Sequence, residues 1–155
     1  MRRAGRVLTG VDRVEMAYLD ALISDHVPVF GLVRTPFGYV LLDESGLTAM
    51  RDSLRNPSEM VSPDLLSWMS RGLSRIERKA QSEVRRHALA RALPGKLAQM
   101  LVKHLPQGTH YFNVGHSNLT KRVLSAVTGL CGKTVVLIHD VIPLDFPEFQ
   151  RDGTV

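Results

Sequence analysis

Thr134-Val135-Val136-Leu137-Ile138, followed by His139-Asp140, is the stretch on which the fold class turns. β-branched and aliphatic residues fill the run from Thr134 to Ile138, so both faces of an extended segment there are apolar. A strand of that kind belongs inside a parallel sheet that helices cover on both sides. Immediately upstream, Gly129 and Gly132 close a helix predicted over about 119–127. That helix follows the turn Gly115-His116-Ser117-Asn118, which itself follows a strand predicted over 109–114. Strand, helix, strand at this spacing is a βαβ unit, whose crossover is right-handed by rule. The expectation is an α/β domain with a mostly parallel sheet, flanked by helices, in which 134–138 is a central strand.

Further toward the amino terminus the periodicity predicts a short helix over 97–105. Before it, Ser62-Pro63 opens a long helix with Ser62 as cap and Pro63 in its first turn, and Pro94-Gly95 ends it. Leu65, Met69, Leu73, Ile76, Ala80, Val84 and Ala88 form its apolar stripe. Its other face carries Arg71, Arg75, Arg78, Lys79, Arg85, Arg86 and Arg91. Such a face is ordinarily just solvated. The sharper reading is peripheral contact with an anionic membrane through Arg71, Arg75, Arg78 and Arg85. A helix over 45–54, capped by Ser45, is broken by Asn56-Pro57-Ser58. Strands over 28–33 and 39–42 flank Thr35-Pro36-Phe37-Gly38, a β-hairpin near the amino terminus. A first helix spans 9–23, with Val14, Ala17, Tyr18, Ala21 and Leu22 as its stripe. Thr9 caps it, Asp12 stands at the capping-box position, and Gly10 lies between them. Free amides at such a helix start suit an anion, although starting the helix is reason enough for these residues.

The 155 residues carry 20 Lys and Arg against 15 Asp and Glu, a net charge of +5, with 44% hydrophobic and 23% charged residues. This ordinary globular mixture excludes a disordered tail, a collagen-like repeat and a disulfide-stapled miniprotein. The length suits a single α/β domain over 1–155. Cys131 is the single cysteine, so a reducing, cytoplasmic compartment is the simplest expectation. No apolar run approaches the roughly 20 residues that span a bilayer. A pI near 9.8 favours acidic partners without choosing among nucleic acid, lipid headgroups and phosphorylated substrates.

Ligands of open α/β sheets bind outside the carboxyl ends of the strands. Here that rule selects Asn113-Val114-Gly115-His116-Ser117 and His139-Asp140. A zinc site could use His116, His139 and Asp140, but no HExxH or cysteine cluster accompanies them, so no metal is expected. A nucleophile elbow, a P-loop, Gly-x-Gly-x-x-Gly and Asp-x-Asp are absent from the sequence. Taken alone, Asp140 reads as a turn cap and His139 as an ordinary polar residue at a strand end.

Three segments together carry a resemblance. Thr9-Gly10-Val11-Asp12-Arg13-Val14-Glu15, Tyr111-Phe112-Asn113-Val114-Gly115-His116 and Val136-Leu137-Ile138-His139-Asp140-Val141-Ile142-Pro143-Leu144-Asp145-Phe146-Pro147-Glu148 resemble the amino-terminal half of bacterial glycosyltransferases of the group-one class, family four. The third is the most specific. The resemblance runs from about Thr9 to Arg151, with little to recognise between Asp43 and Gln107. It implies one Rossmann-like lobe of the two-lobed glycosyltransferase B architecture, with the active site in the cleft between lobes. It also implies an amino-terminal lobe that binds a glycan or lipid-linked acceptor, a second lobe that binds the nucleotide-sugar donor, retention of configuration, and no metal or other cofactor. By position, the resemblance puts Gly10 and Val11 in the loop facing the donor diphosphate, and His139 at the reacting sugar as the catalytic candidate. His116 and Asp140 fall on the acceptor side. The chain ends at Val155, so the donor lobe is expected to be missing and the isolated chain inactive. The alternative is a non-catalytic basic α/β module for an anionic membrane or nucleic acid. Against nucleic acid, no helix-turn-helix or RNP aromatic pattern is visible, and Trp68 is the single tryptophan.

Overall fold

Gly38-Tyr39-Val40-Leu41-Leu42 is the strand buried on both faces. In the computed structural model, which describes residues 10–25, 27–56, 60–70, 72–115, 118–130 and 132–138, this strand, β2 (Gly38–Leu42), is buried at every position. It lies between β1 (Gly31–Thr35) and β3 (Ala90–Ala92), and both pairings are antiparallel. The expected hairpin is present: Thr35 pairs with Gly38 across Pro36-Phe37, and Val33 with Val40. Gly38 has φ +132°, a conformation that L side chains rarely adopt.

Alternation along β2 divides the interior into two cores. Tyr39 and Leu41 face Leu97, Met100 and Leu101 of α5 (Leu97–His104) and Val123, Ala126 and Val127 of α6 (Lys121–Thr128). Val40 and Leu42 face the opposite way, packing with Val33, Leu47 of α2 (Glu44–Arg55) and Val84 of α4 (Arg75–Arg86). Leu19 and Ile23 of α1 (Gly10–Ser24) close that second core. The fold is mixed α/β, with helices on both faces of a small sheet.

A separate parallel pair joins β4 (Tyr111–Asn113) to β5 (Thr134–Val136), with α6 between them in sequence. The βαβ unit predicted there is present. A mostly parallel sheet is not, because parallel pairing among the described residues is confined to β4 and β5. Nor is 134–138 a buried central strand. β5 is exposed at all three positions, and Ile138 is 61% exposed. A two-faced apolar strand does need cover on both sides, but the one that receives it is β2.

The expected long helix is broken. Its pieces are α3 (Leu65–Met69), α4 and the strand β3. Gly72 takes φ +79° between the helices, and a capping box restarts the chain: Ser74 Oγ accepts from the Glu77 amide, and Glu77 Oε2 from the Ser74 amide. Ala90 and Ala92 then pair with Leu41 and Tyr39, so the edge of β2 claims backbone groups that a continued helix would have kept. Asp64, not Ser62, caps α3. Asp43, not Ser45, caps α2, and its bond from the Gly46 amide holds its carboxyl below the usual range. The inward face of α1 is also rotated from the expected one. Leu19 and Ile23 pack on the core while Ala17, Tyr18 and Ala21 are exposed. Among the described residues no helix is long and apolar enough to cross a membrane.

Candidate functional site

Rotating α1 so that Leu19 and Ile23 face inward brings Glu15, one turn earlier, to the same face. Its carboxylate lies against Gly115, just beyond the carboxyl end of β4. A Cβ on Gly115 would collide with Glu15 Oε1. The start of α1 and the turn after β4 therefore meet, although about a hundred residues separate them. Glu15 also lines a cleft of about 760 Å³, whose other walls include Arg34, Thr35, Asn118, Thr120 and Arg122.

The hairpin end supplies Arg34 and Thr35, and the turn into α6 supplies Asn118, Thr120 and Arg122. Hydrogen bonds fix that turn. Asn118 Nδ2 donates to the Leu32 carbonyl of β1 at 2.8 Å. Asn113 Nδ2 donates to the Tyr111 hydroxyl at 3.0 Å, and that hydroxyl donates to the Asn118 carbonyl at 3.5 Å. Thr120 Oγ1 accepts from the Val123 amide and caps α6. Among the described residues, Asn118 Oδ1 is buried without a hydrogen-bond partner. The exposed side chains of Arg34 and Arg122 form no ion pair among the described residues.

This set can do two things chemically. Its guanidiniums can hold a phosphate or carboxylate through charge-assisted bonds. The Glu15 carboxylate, an acceptor when ionised, can take a hydrogen bond from a hydroxyl. A ligand carrying both an anion and hydroxyls suits it better than a purely anionic one.

Of the residues singled out from the sequence, Gly10 is the first residue of α1 and is exposed, with nothing within 4 Å of where a Cβ would sit. It belongs to the helix rather than to a glycine-dependent turn before it. Asp12 in the first turn already sets negative charge against the helix start, where it competes with any anion. Val11 lies in α1, and its side chain is outside the described residues. His116, His139 and Asp140 also lie outside the described residues. Glu15, Arg34, Asn118 and Arg122 were not singled out. The available signal was the i, i+4, i+8 spacing of Glu15, Leu19 and Ile23. Arg34 and Arg122 carry no comparable pattern.

No family model matches the chain, and no curated protein or solved structure matches it.

Proposed function

We propose that the chain acts as the acceptor-side lobe of a retaining glycosyltransferase of the glycosyltransferase B type, with sugar passing from a nucleotide-sugar to a glycan or lipid-linked acceptor when a donor-binding lobe faces the cleft. One observation carries this reading: Glu15 rests on Gly115. The first two segments of the family resemblance thereby meet at the carboxyl end of β4, where α/β folds take ligands, and the first of them lines the cleft through Glu15. In that cleft Glu15 accepts a hydrogen bond from an acceptor hydroxyl. Arg34 and Arg122 hold the phosphate of a sugar phosphate or lipid-linked acceptor. Sugar transfer expels a diphosphate, and fixed positive charge nearby stabilises that departure. His139 remains the catalytic candidate on the resemblance, with His116 and Asp140 on the acceptor side.

Calorimetric titration with hexose and N-acetylhexosamine 1-phosphates and with a short-chain polyprenyl diphosphate sugar tests the reading. Saturable binding is expected. Arg122→Ala removes a charge-assisted bond and weakens it by about tenfold or more, and Glu15→Gln weakens it less. Binding that both substitutions leave unchanged, or no binding to any probe, contradicts the assignment.

A further inference from the structure

The helix α3, Leu65-Leu66-Ser67-Trp68-Met69, is inside out. Its buried residue is Ser67, whose hydroxyl donates to the Asp64 carbonyl at 2.7 Å. Leu65, Trp68 and Met69 are 87%, 62% and 70% exposed. Leu65 and Met69, which the sequence spaces as part of a core stripe, thus stand in water. Large apolar side chains grouped on one short element mark an interaction site rather than ordinary surface.

The orientation is held from behind by the polar side chains of α4. Glu83 Oε1 accepts from the Val61 amide and Ser82 Oγ from the Asp64 amide, each at 2.9 Å. Lys79 donates to the Met60 carbonyl at 3.1 Å, and Arg85 grips the Asp64 carboxylate through Nε and Nη2. Negative charge beside α3 is consequently engaged: Asp64 by Arg85, and Glu77 by the Ser74 amide. Positive charge also lies beside α3, exposed at Arg75 and half-buried at Arg78. The Arg78 guanidinium lies 4.9 Å from the centre of the Trp68 ring.

We propose that α3 is a docking wedge for an anionic membrane surface: Leu65, Trp68 and Met69 enter the boundary between headgroups and acyl chains, and Arg75 and Arg78 meet lipid phosphates. Charge complementarity selects this occupant. The apolar tip has the Arg78 guanidinium against its Trp68 ring, on a chain of net charge +5, and a tryptophan with a basic neighbour suits a surface that is apolar below and anionic above. This corrects the sequence-based expectation of a basic face at Arg71, Arg75, Arg78 and Arg85. Arg85 is 4% exposed and committed to Asp64, and Arg71 lies outside the described residues. The wedge is independent of sugar transfer, since vesicle binding requires neither donor nor acceptor.

Trp68 is the single tryptophan, so its fluorescence reports on the wedge directly. With the full chain and phosphatidylcholine vesicles containing phosphatidylglycerol, the emission is expected to shift to the blue, be quenched by brominated acyl chains, and respond little to pure phosphatidylcholine. Leu65→Ser with Met69→Ser removes apolar area and should lower partitioning by about tenfold or more. Arg75→Glu with Arg78→Glu should lower it by roughly tenfold or more. Circular dichroism checks that each variant is folded. Emission unmoved by either vesicle overturns the proposal, and equal binding to neutral vesicles overturns the anionic assignment. Trp68 already shielded from acrylamide without vesicles also overturns it, with a dimer in the ultracentrifuge identifying a second copy as the cover.

Discussion

Adding one methyl group separates the roles of three glycines. At Gly38 a Cβ would run into the Ala92 carbonyl, part of the β2–β3 ladder, and the φ of +132° is already costly for any L side chain. Gly38→Ala is therefore expected to destabilise the fold by about 2–3 kcal/mol, measured by urea unfolding. At Gly10 nothing lies within 4 Å, and Gly10→Ala should change stability by no more than about 1 kcal/mol. Gly115 falls between these cases. The obstacle is the end of a flexible glutamate side chain, so Gly115→Ala should cost less than about 1 kcal/mol of stability while displacing Glu15 and weakening the proposed sugar-phosphate binding. A large loss of stability with unaltered binding would make Gly115 a purely structural residue. Glu15 was within sight in the sequence, yet its role was not. The apolar residues of α1 admit more than one inward face, and only docking against α2 and the sheet selects Leu19 and Ile23.

At the scale of elements, the Asp64–Arg85 pair ties α3 to α4. Arg85 is buried, and its guanidinium holds the Asp64 carboxyl well below its ordinary value of 3.8. A depressed carboxyl stabilises the fold above its unfolded value and loses that contribution as pH falls through the folded one. Stability should therefore decline on acidification below the ordinary value, and Asp64→Asn should flatten that decline in an acid titration followed by circular dichroism. Asp64→Ala leaves a buried cation without its carboxylate. It should cost on the order of 3 kcal/mol, the low end for a buried pair, because the Asp64 side chain is 37% exposed and water screens it. A loss below about 0.5 kcal/mol would mean that Arg85 re-pairs freely, for instance with Gln81. The break between these helices was hard to read in advance. Leu65, Met69, Leu73, Ile76 and Ala80 hold helical spacing straight across it, and the local signals, Gly72 and the Ser74–Glu77 box, are short. What decides the break is remote: β2 needs a second neighbour, and Ala90–Ala92 becomes that strand.

Across the whole molecule, local chemistry was legible and long-range partnership was not. The hairpin announced itself through Pro36 and Gly38, and the βαβ unit through its glycines and its order. The central strand did not, because β2 and 134–138 are both short apolar runs, and composition does not say which one the helices cover. The cleft inherits this division. Gly115, which Glu15 touches, lies in a turn that the ligand rule selected, whereas Arg34, Asn118 and Arg122 join the cleft only through the packing of the hairpin against α6. The association of these parts into the proposed sugar-binding cleft is what amide chemical shifts can map, by titrating the full chain with a hexose 1-phosphate. The amides of Arg34, Gly115, Asn118 and Arg122 should move together along one saturation curve, and Arg122→Ala should weaken the whole set. Saturable shifts confined to other surfaces, such as α2 or α3, or no shift at any concentration, would contradict a sugar-acceptor cleft between α1, the hairpin and α6.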